Sequence, residues 1–289
     1  MKGLGTALVT PFTEEGKIDF QSLNTLLEHQ IKGGTDYLVI LGTTSEVPTL
    51  THSEQDEIIA HVVKQVAGRI PLVLGVGGNS TAAVVERLHE LKETLATHFA
   101  GILSVTPYYN RPQQEGLYLH FCAVAEASPV PVILYNVPKR TGVNMLPDTV
   151  MRIHKAYPDK IMGIKEASGN VEQIKQLIAL SKQQATTAED ALLVISGDDG
   201  IVCEIMKAGG AGLISVASNA FPNDFNRIVH NQDEALQAQY DEMVKLLFAE
   251  GNPVGIKAVL AQKGIITNHL RLPLVPASEE LRKNIAALL

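Results

Sequence analysis

Lys165 follows a short apolar run in the stretch IMGIKEASGN and stands where that run should leave a buried strand. An ammonium is rarely buried without a partner, because stripping its water costs several kcal/mol. Two readings follow from the position. In one, the side chain snorkels to solvent or pairs with Glu166 or a helix end. In the other, low-dielectric surroundings favour the free amine, a nucleophile suited to Schiff-base formation with a carbonyl substrate. Tyr135 lies near the end of the preceding apolar run, PVILYNVP, and Thr43 and Thr44 end an earlier one, YLVILGTT. Imine formation moves protons on and off a carbinolamine oxygen, and hydroxyls that both donate and accept suit that task. With Tyr135 one run away, chemistry is the preferred reading of Lys165.

These residues need elements that bring them together. Short apolar, β-branched runs recur at 5–11, 37–44, 71–78, 101–107, 131–138, 161–167, 192–199 and 212–218. Each passes into Gly, Pro, Asn, Ser, Thr or Asp, the residues of turns and helix caps. The runs are nearly continuous rather than alternating, as expected of parallel strands covered on both faces. Amphipathic stretches such as 53–68 and 81–96 separate them, and Glu54, Asp56 and Glu57 suit the positive end of a helix dipole. Eight such units predict an α/β fold, a (β/α)8 barrel over residues 1–224. A doubly wound sheet would have fewer strands and a glycine loop after the first, where this chain has VTPFTEEG. Residues 225–289 read as helical, a C-terminal extension packed on the barrel without a low-complexity linker. In such barrels the active site forms on the loops after the strands, which is where Lys165, Tyr135 and the threonines fall.

Composition narrows the partners. The 289 residues carry 24 basic and 31 acidic side chains, a formal charge of −7, which argues against nucleic acid. No apolar run approaches the roughly 18–20 residues of a membrane span, and MKGLGTALVTPF lacks a signal-peptide core, so the cytoplasm is the expected location. Cys122 and Cys203 fit free thiols in a reducing compartment. No metal is expected: His52, His61, His89, His98 and His120 fall in helical stretches without ligand spacing and read as solvated. The GVGGNS cluster at 75–80 fits close packing as well as anion binding. Asp198 and Asp199 read as caps of the next helix rather than a general-acid pair.

Five segments together, GTTSE (42–46), VTPYYNRPQQEG (105–116), YNVPKRTG (135–142), GIKEASGN (163–170) and SGDD (196–199), resemble the dihydrodipicolinate synthase family of pyruvate-dependent class I aldolases. The segments fall in order across the whole barrel. The resemblance implies condensation of pyruvate with L-aspartate 4-semialdehyde to 4-hydroxy-tetrahydrodipicolinate, the first committed step of diaminopimelate and lysine biosynthesis, with no cofactor. It makes Lys165 the Schiff-base residue and Tyr135 the acid/base, linked through Thr44 to Tyr109 in a proton relay. Tyr109 would enter the site of a neighbouring subunit, which implies a homotetramer built as a dimer of dimers. Thr43 and Thr44 would hold the pyruvate carboxylate, Arg140 the carboxylate of the second substrate, and Gly197 and Ile214 would supply backbone contacts near the lysine.

Other readings differ at identifiable residues. N-acetylneuraminate lyase and 2-keto-3-deoxy-sugar-acid aldolases share the lysine and tyrosine, but Arg140 suits a carboxylate, which a guanidinium clamps with two hydrogen bonds. A barrel that binds a keto acid without turnover is the reading of another class, and retention of the whole relay argues against it. Two departures from the family stand out. Ser45 replaces the usual glycine and fits only if the backbone there does not need a positive φ. An allosteric lysine site would involve His52, Asn79 and Tyr108, but Gln55 and Ala83 replace a frequent histidine and glutamate, with Val47 and Pro48 in place of smaller or polar residues. Loss of a desolvated charge partner is worth ~2 kcal/mol or more, so weak or no inhibition by lysine is expected.

Overall fold

The eight apolar runs form eight strands: β1 (Gly3–Ala7), β2 (Tyr37–Ile40), β3 (Leu72–Gly75), β4 (Gly101–Val105), β5 (Val132–Asn136), β6 (Ile161–Glu166), β7 (Leu193–Ser196) and β8 (Gly212–Ser215). They neighbour one another in chain order and close into a parallel barrel with helices between the strands, the (β/α)8 architecture. The computed structural model describes residues 1–187 and 190–289. Every strand stops short of the C-terminal end of its run, since each run takes in the first residues of the loop that follows. After β2 the stop is conformational: Leu41 takes φ 54°, a left-handed conformation that breaks extended pairing.

The chain divides into two compact units. Residues 1–3 and 72–214 form one, with β3 to β7 and most of β8. Its sheet buries Ile133, Leu134, Ile164, Ile195 and Leu213 completely, and each such side chain contributes about 1.5–3 kcal/mol on leaving water. Register places Tyr135 beside Lys165 and Lys165 beside Ile195. His120 departs from its expected solvated position. It lies on the inner face of the helix Gln114–Ala127 with Leu117, Phe121 and Val124, its Nδ1 2.8 Å from Thr81 Oγ1, and burial lowers its pKa to about 4. Of the cysteines, Cys203 is buried and Cys122 half-buried, both as free thiols.

Residues 4–71 and 215–289 form the other unit, so the helical C-terminal stretch shares a core with β1 and β2. Its helices include Phe20–Lys32, His52–Val66, Val254–Gln262 and Glu279–Ala286. His52–Val66 opens with a capping box in which Thr51 and Glu54 satisfy each other's backbone N–H groups. Arg271 grips the same Glu54 carboxylate at 2.6 and 2.8 Å and holds its pKa down at about 2. Among the described residues no helix is long and apolar enough to cross a membrane.

Candidate active site

Side chains in register on adjacent parallel strands point to the same face. Lys165 on β6 therefore meets Tyr135 on β5, with Nζ 4.6 Å from the ring centroid. Lys165 is 5% exposed, so the side chain does not snorkel. Nor does it pair with Glu166, because alternation along the strand turns that carboxylate to the opposite face. Gly197, at the end of β7, leaves room for the lysine: a Cβ there would come within 3.0 Å of Lys165 Cε and 2.7 Å of Ala167 Cβ. Its N–H donates to Glu166 O at 2.8 Å. Ile214 on β8 is completely buried.

Glu166 is also inaccessible, and its carboxylate is ringed by donors. Oε1 accepts from Ser168 N at 2.8 Å; Oε2 accepts from Asn136 Nδ2 at 2.9 Å and Gln173 Nε2 at 3.1 Å. The network has a fixed direction, because Asn136 Oδ1 accepts from Met145 N at 3.0 Å and so turns its amino group toward the carboxylate. Burial pushes the Glu166 pKa up against the opposing pull of these bonds. The cage ties the ends of β5 and β6 together one residue beyond the Tyr135–Lys165 pair.

The loops after β4 and β5 are pinned to their neighbours. Asn110 Nδ2 donates to Asn79 O at 2.9 Å, and Arg111 Nε donates to Gly142 O at 3.0 Å. Just before these anchors Tyr109 takes φ 73° and is 89% exposed, while Tyr108 beside it is half-exposed. Arg140 stands exposed on the short helix Pro138–Thr141. The expectation for Asp198 needs correction. The helix Val202–Ala208 begins at Ile201 without a side-chain cap, and Asp198 instead accepts from Gly200 N at 2.9 Å, closing the loop before the helix starts.

In the other unit, Thr43–Ser45 forms one turn of 3₁₀-helix, set between left-handed residues at Leu41 and Glu46, the latter with φ 55°. Non-glycine residues in that region are strained by about 1–2 kcal/mol each and persist where surroundings hold them. Here they are held. The Glu46 carboxylate is buried, with Oε1 2.5 Å from Lys257 Nζ and Oε2 accepting from Arg271 N at 3.1 Å. Both side chains of this ion pair are completely buried. Burial lowers the Lys257 pKa to about 8, against the pull of Glu46. Ser45 keeps a negative φ, and its Oγ donates to Leu8 O at 2.6 Å, so serine needs none of glycine's freedom and gains a partner. Thr44 is buried and its Oγ1 accepts from Asn252 Nδ2 at 2.9 Å; Thr43 is partly exposed. His52 is exposed at the start of its helix.

A model of the dihydrodipicolinate synthetase family matches residues 1–289. The chain belongs to that family. The 4-hydroxy-tetrahydrodipicolinate synthase of Parabacteroides distasonis is 47% identical over 286 residues, covering 96% of this chain and 92% of that protein. The solved dihydrodipicolinate synthase of Thermotoga maritima superposes with a TM-score of 0.93 at 37% identity, covering 100% of this chain and 97% of that one. The chloride-inhibited dihydrodipicolinate synthase of Acinetobacter baumannii, solved in complex with pyruvate, gives a TM-score of 0.92 at 37% identity, with 99% and 97% covered.

Within this family member, Lys165, Tyr135 and Gly197 meet in one unit, and Thr43 and Thr44 share a turn in the other. Three residues at the site escape the sequence reading: Asn252, Lys257 and Arg271, all from the C-terminal stretch. The signal for Lys257 was present. It is a lysine inside the apolar helix VGIKAVLAQ, the same anomaly that marks Lys165. Asn252 has no comparable mark, since an Asn before a Pro reads as an ordinary turn.

Proposed function

We propose that this member of the family condenses pyruvate with L-aspartate 4-semialdehyde through an imine on Lys165, giving 4-hydroxy-tetrahydrodipicolinate on the diaminopimelate route to lysine. The observation that carries the reading is a buried lysine facing a tyrosine ring at the ends of adjacent strands, in a chain of this family. Lys165 Nζ adds to the ketone carbon of pyruvate, and the carbinolamine oxygen leaves as water once protonated, with Tyr135 as the acid. Loss of a methyl proton then gives an enamine, whose terminal carbon attacks the aldehyde. The amine of the acceptor displaces Lys165 and closes the ring, returning the free lysine.

Thr43 and Thr44 hold the pyruvate carboxylate, and Thr44 passes protons between Tyr135 and Tyr109. Arg140 clamps the acceptor's carboxylate with parallel hydrogen bonds. Gly197 and Ile214 line the lysine with backbone groups. A Tyr109 residue 89% exposed on a loop anchored through Asn110 and Arg111 supports its insertion into a second copy of the chain. The assembly is a homotetramer, a dimer of dimers, working in the cytoplasm.

Borohydride reduction in the presence of pyruvate, followed by peptide mass mapping, tests the imine: the adduct is expected on Lys165, and its absence would leave a keto-acid-binding barrel. Pyruvate consumption with L-aspartate 4-semialdehyde, run beside N-acetylmannosamine, tests the acceptor. Turnover with the semialdehyde alone is expected, and turnover only with the sugar would move the chain to the lyase branch.

A further inference from the structure

Thr44 has a hydroxyl that holds one proton and two lone pairs. In this structure one lone pair is taken: Asn252 Nδ2 donates to Thr44 Oγ1 at 2.9 Å, with Asn252 8% and Thr44 2% exposed. An oxygen that accepts there must direct its own proton elsewhere. We propose that Asn252 is a positioning residue that sets the donor direction of the Thr44 hydroxyl for proton transfer. The inference rests on the reading of Thr44 as a relay given above.

The placement of Asn252 supports this role. The segment that carries it runs directly into the helix Val254–Gln262. One turn into that helix, Lys257 pairs with Glu46, two residues beyond Thr44. One C-terminal segment thus fixes both the backbone of the 43–46 turn, through Lys257, and its hydroxyl, through Asn252. A rotor locked by a buried amide has no reorientation to make when a proton moves, which is what a relay requires. The family's other proposed functional residues all lie before residue 215. Asn252 therefore gives the helical C-terminal stretch a direct part in the reaction's geometry.

The test is a double-substitution cycle on the full-length protein. Asn252→Asp keeps the shape but, when ionised, only accepts, so it draws the Thr44 proton toward itself. A fall in kcat of tenfold or more is expected, up to the 10²–10⁴-fold that positioned proton transfer supplies. Asn252→Ala, which frees the rotor, falls less. The ratio of Asn252→Asp to wild-type kcat should rise as pH is lowered from about 8 to about 5.5, because a buried carboxyl regains a proton in that range and can donate again. Because Asn252 acts through Thr44, adding Asn252→Asp to Thr44→Val should lower kcat no further than Thr44→Val alone. Additive losses, or wild-type kcat in Asn252→Asp, would overturn the inference while leaving the relay standing. Wild-type kcat in Thr44→Val would overturn both. Asn252→Ser carries the same cycle should the Asp variant fail to fold.

Discussion

A methyl group added at Gly197 would press on Lys165 Cε at 3.0 Å and on Ala167 Cβ at 2.7 Å. Since a misplacement of 1 Å can cost about 10²-fold in rate, Gly197→Ala is expected to lower kcat/KM by ~10–100-fold and to slow borohydride trapping with pyruvate. An unchanged trapping rate would show that the lysine tolerates the shift. Glu166 acts at the same scale through its cage. Its partners are all donors, and Met145 N fixes the Asn136 amide so that it cannot flip to compensate. Glu166→Gln would set an amino group against them, and a buried unsatisfied group costs about 1–3 kcal/mol. Urea denaturation should find a loss of that size, and none would mean that the cage rearranges. Lys165 was legible in the sequence because a charge interrupts an apolar run. The use of Glu166 was not, since it stood as a possible counter-charge, although strand alternation already turns neighbouring side chains apart.

At the scale of elements, the strands were legible and their ends were not. All eight runs form strands, yet each run takes in the first residues of its loop, and nothing in YLVILGTT announces the left-handed Leu41 that ends β2. What holds the turn after it comes from residues more than 200 positions away, a pairing that periodicity does not encode. The buried Lys257–Glu46 pair makes the dependence measurable. Removing one partner of such a pair costs about 3–5 kcal/mol, whereas removing both charges together can be nearly neutral. Lys257→Met should therefore lose about that much by urea denaturation, and Lys257→Met combined with Glu46→Gln should recover most of it. A single variant as stable as wild type would show that the turn does not need the pair. The Arg271–Glu54 clamp adds a pH signature. The folded pKa of Glu54 is depressed from 4.5 to about 2, so its contribution is present above the unfolded value and lost as pH falls from 4.5 toward about 2. Stability of Glu54→Gln should be flatter than wild type across that window.

At the scale of the whole molecule, the exposed large side chains include two tyrosines on the loop after β4, Tyr108 and Tyr109. Tyr109 projects from a loop tied down by Asn110 and Arg111, and a large aromatic ring held in solvent fits a surface waiting for a second copy. The expectation that a second copy covers it rests on the family resemblance, because one copy's sequence pattern carries no information about what another copy covers. Regulation is the other expectation that the family resemblance raises. The proposed effector positions His52, Asn79 and Tyr108 remain at least partly accessible, with Tyr108 at 41%. The side chains that would hold an ammonium are missing. Gln55 Nε2 donates to Leu50 O at 3.2 Å and so braces the entry to its own helix, while Ala83 is an exposed methyl whose N–H faces the Ser80 cap at 3.4 Å. With no carboxylate at either position, a lysine molecule bound there would leave its ammonium without the charge-assisted partner worth ~2 kcal/mol, a factor of about 30 in affinity. Steady-state titration should therefore find weak inhibition or none, and Ala83→Glu should strengthen it. A sub-millimolar inhibition constant in the wild-type protein would mean that the ammonium is held by groups other than those two positions.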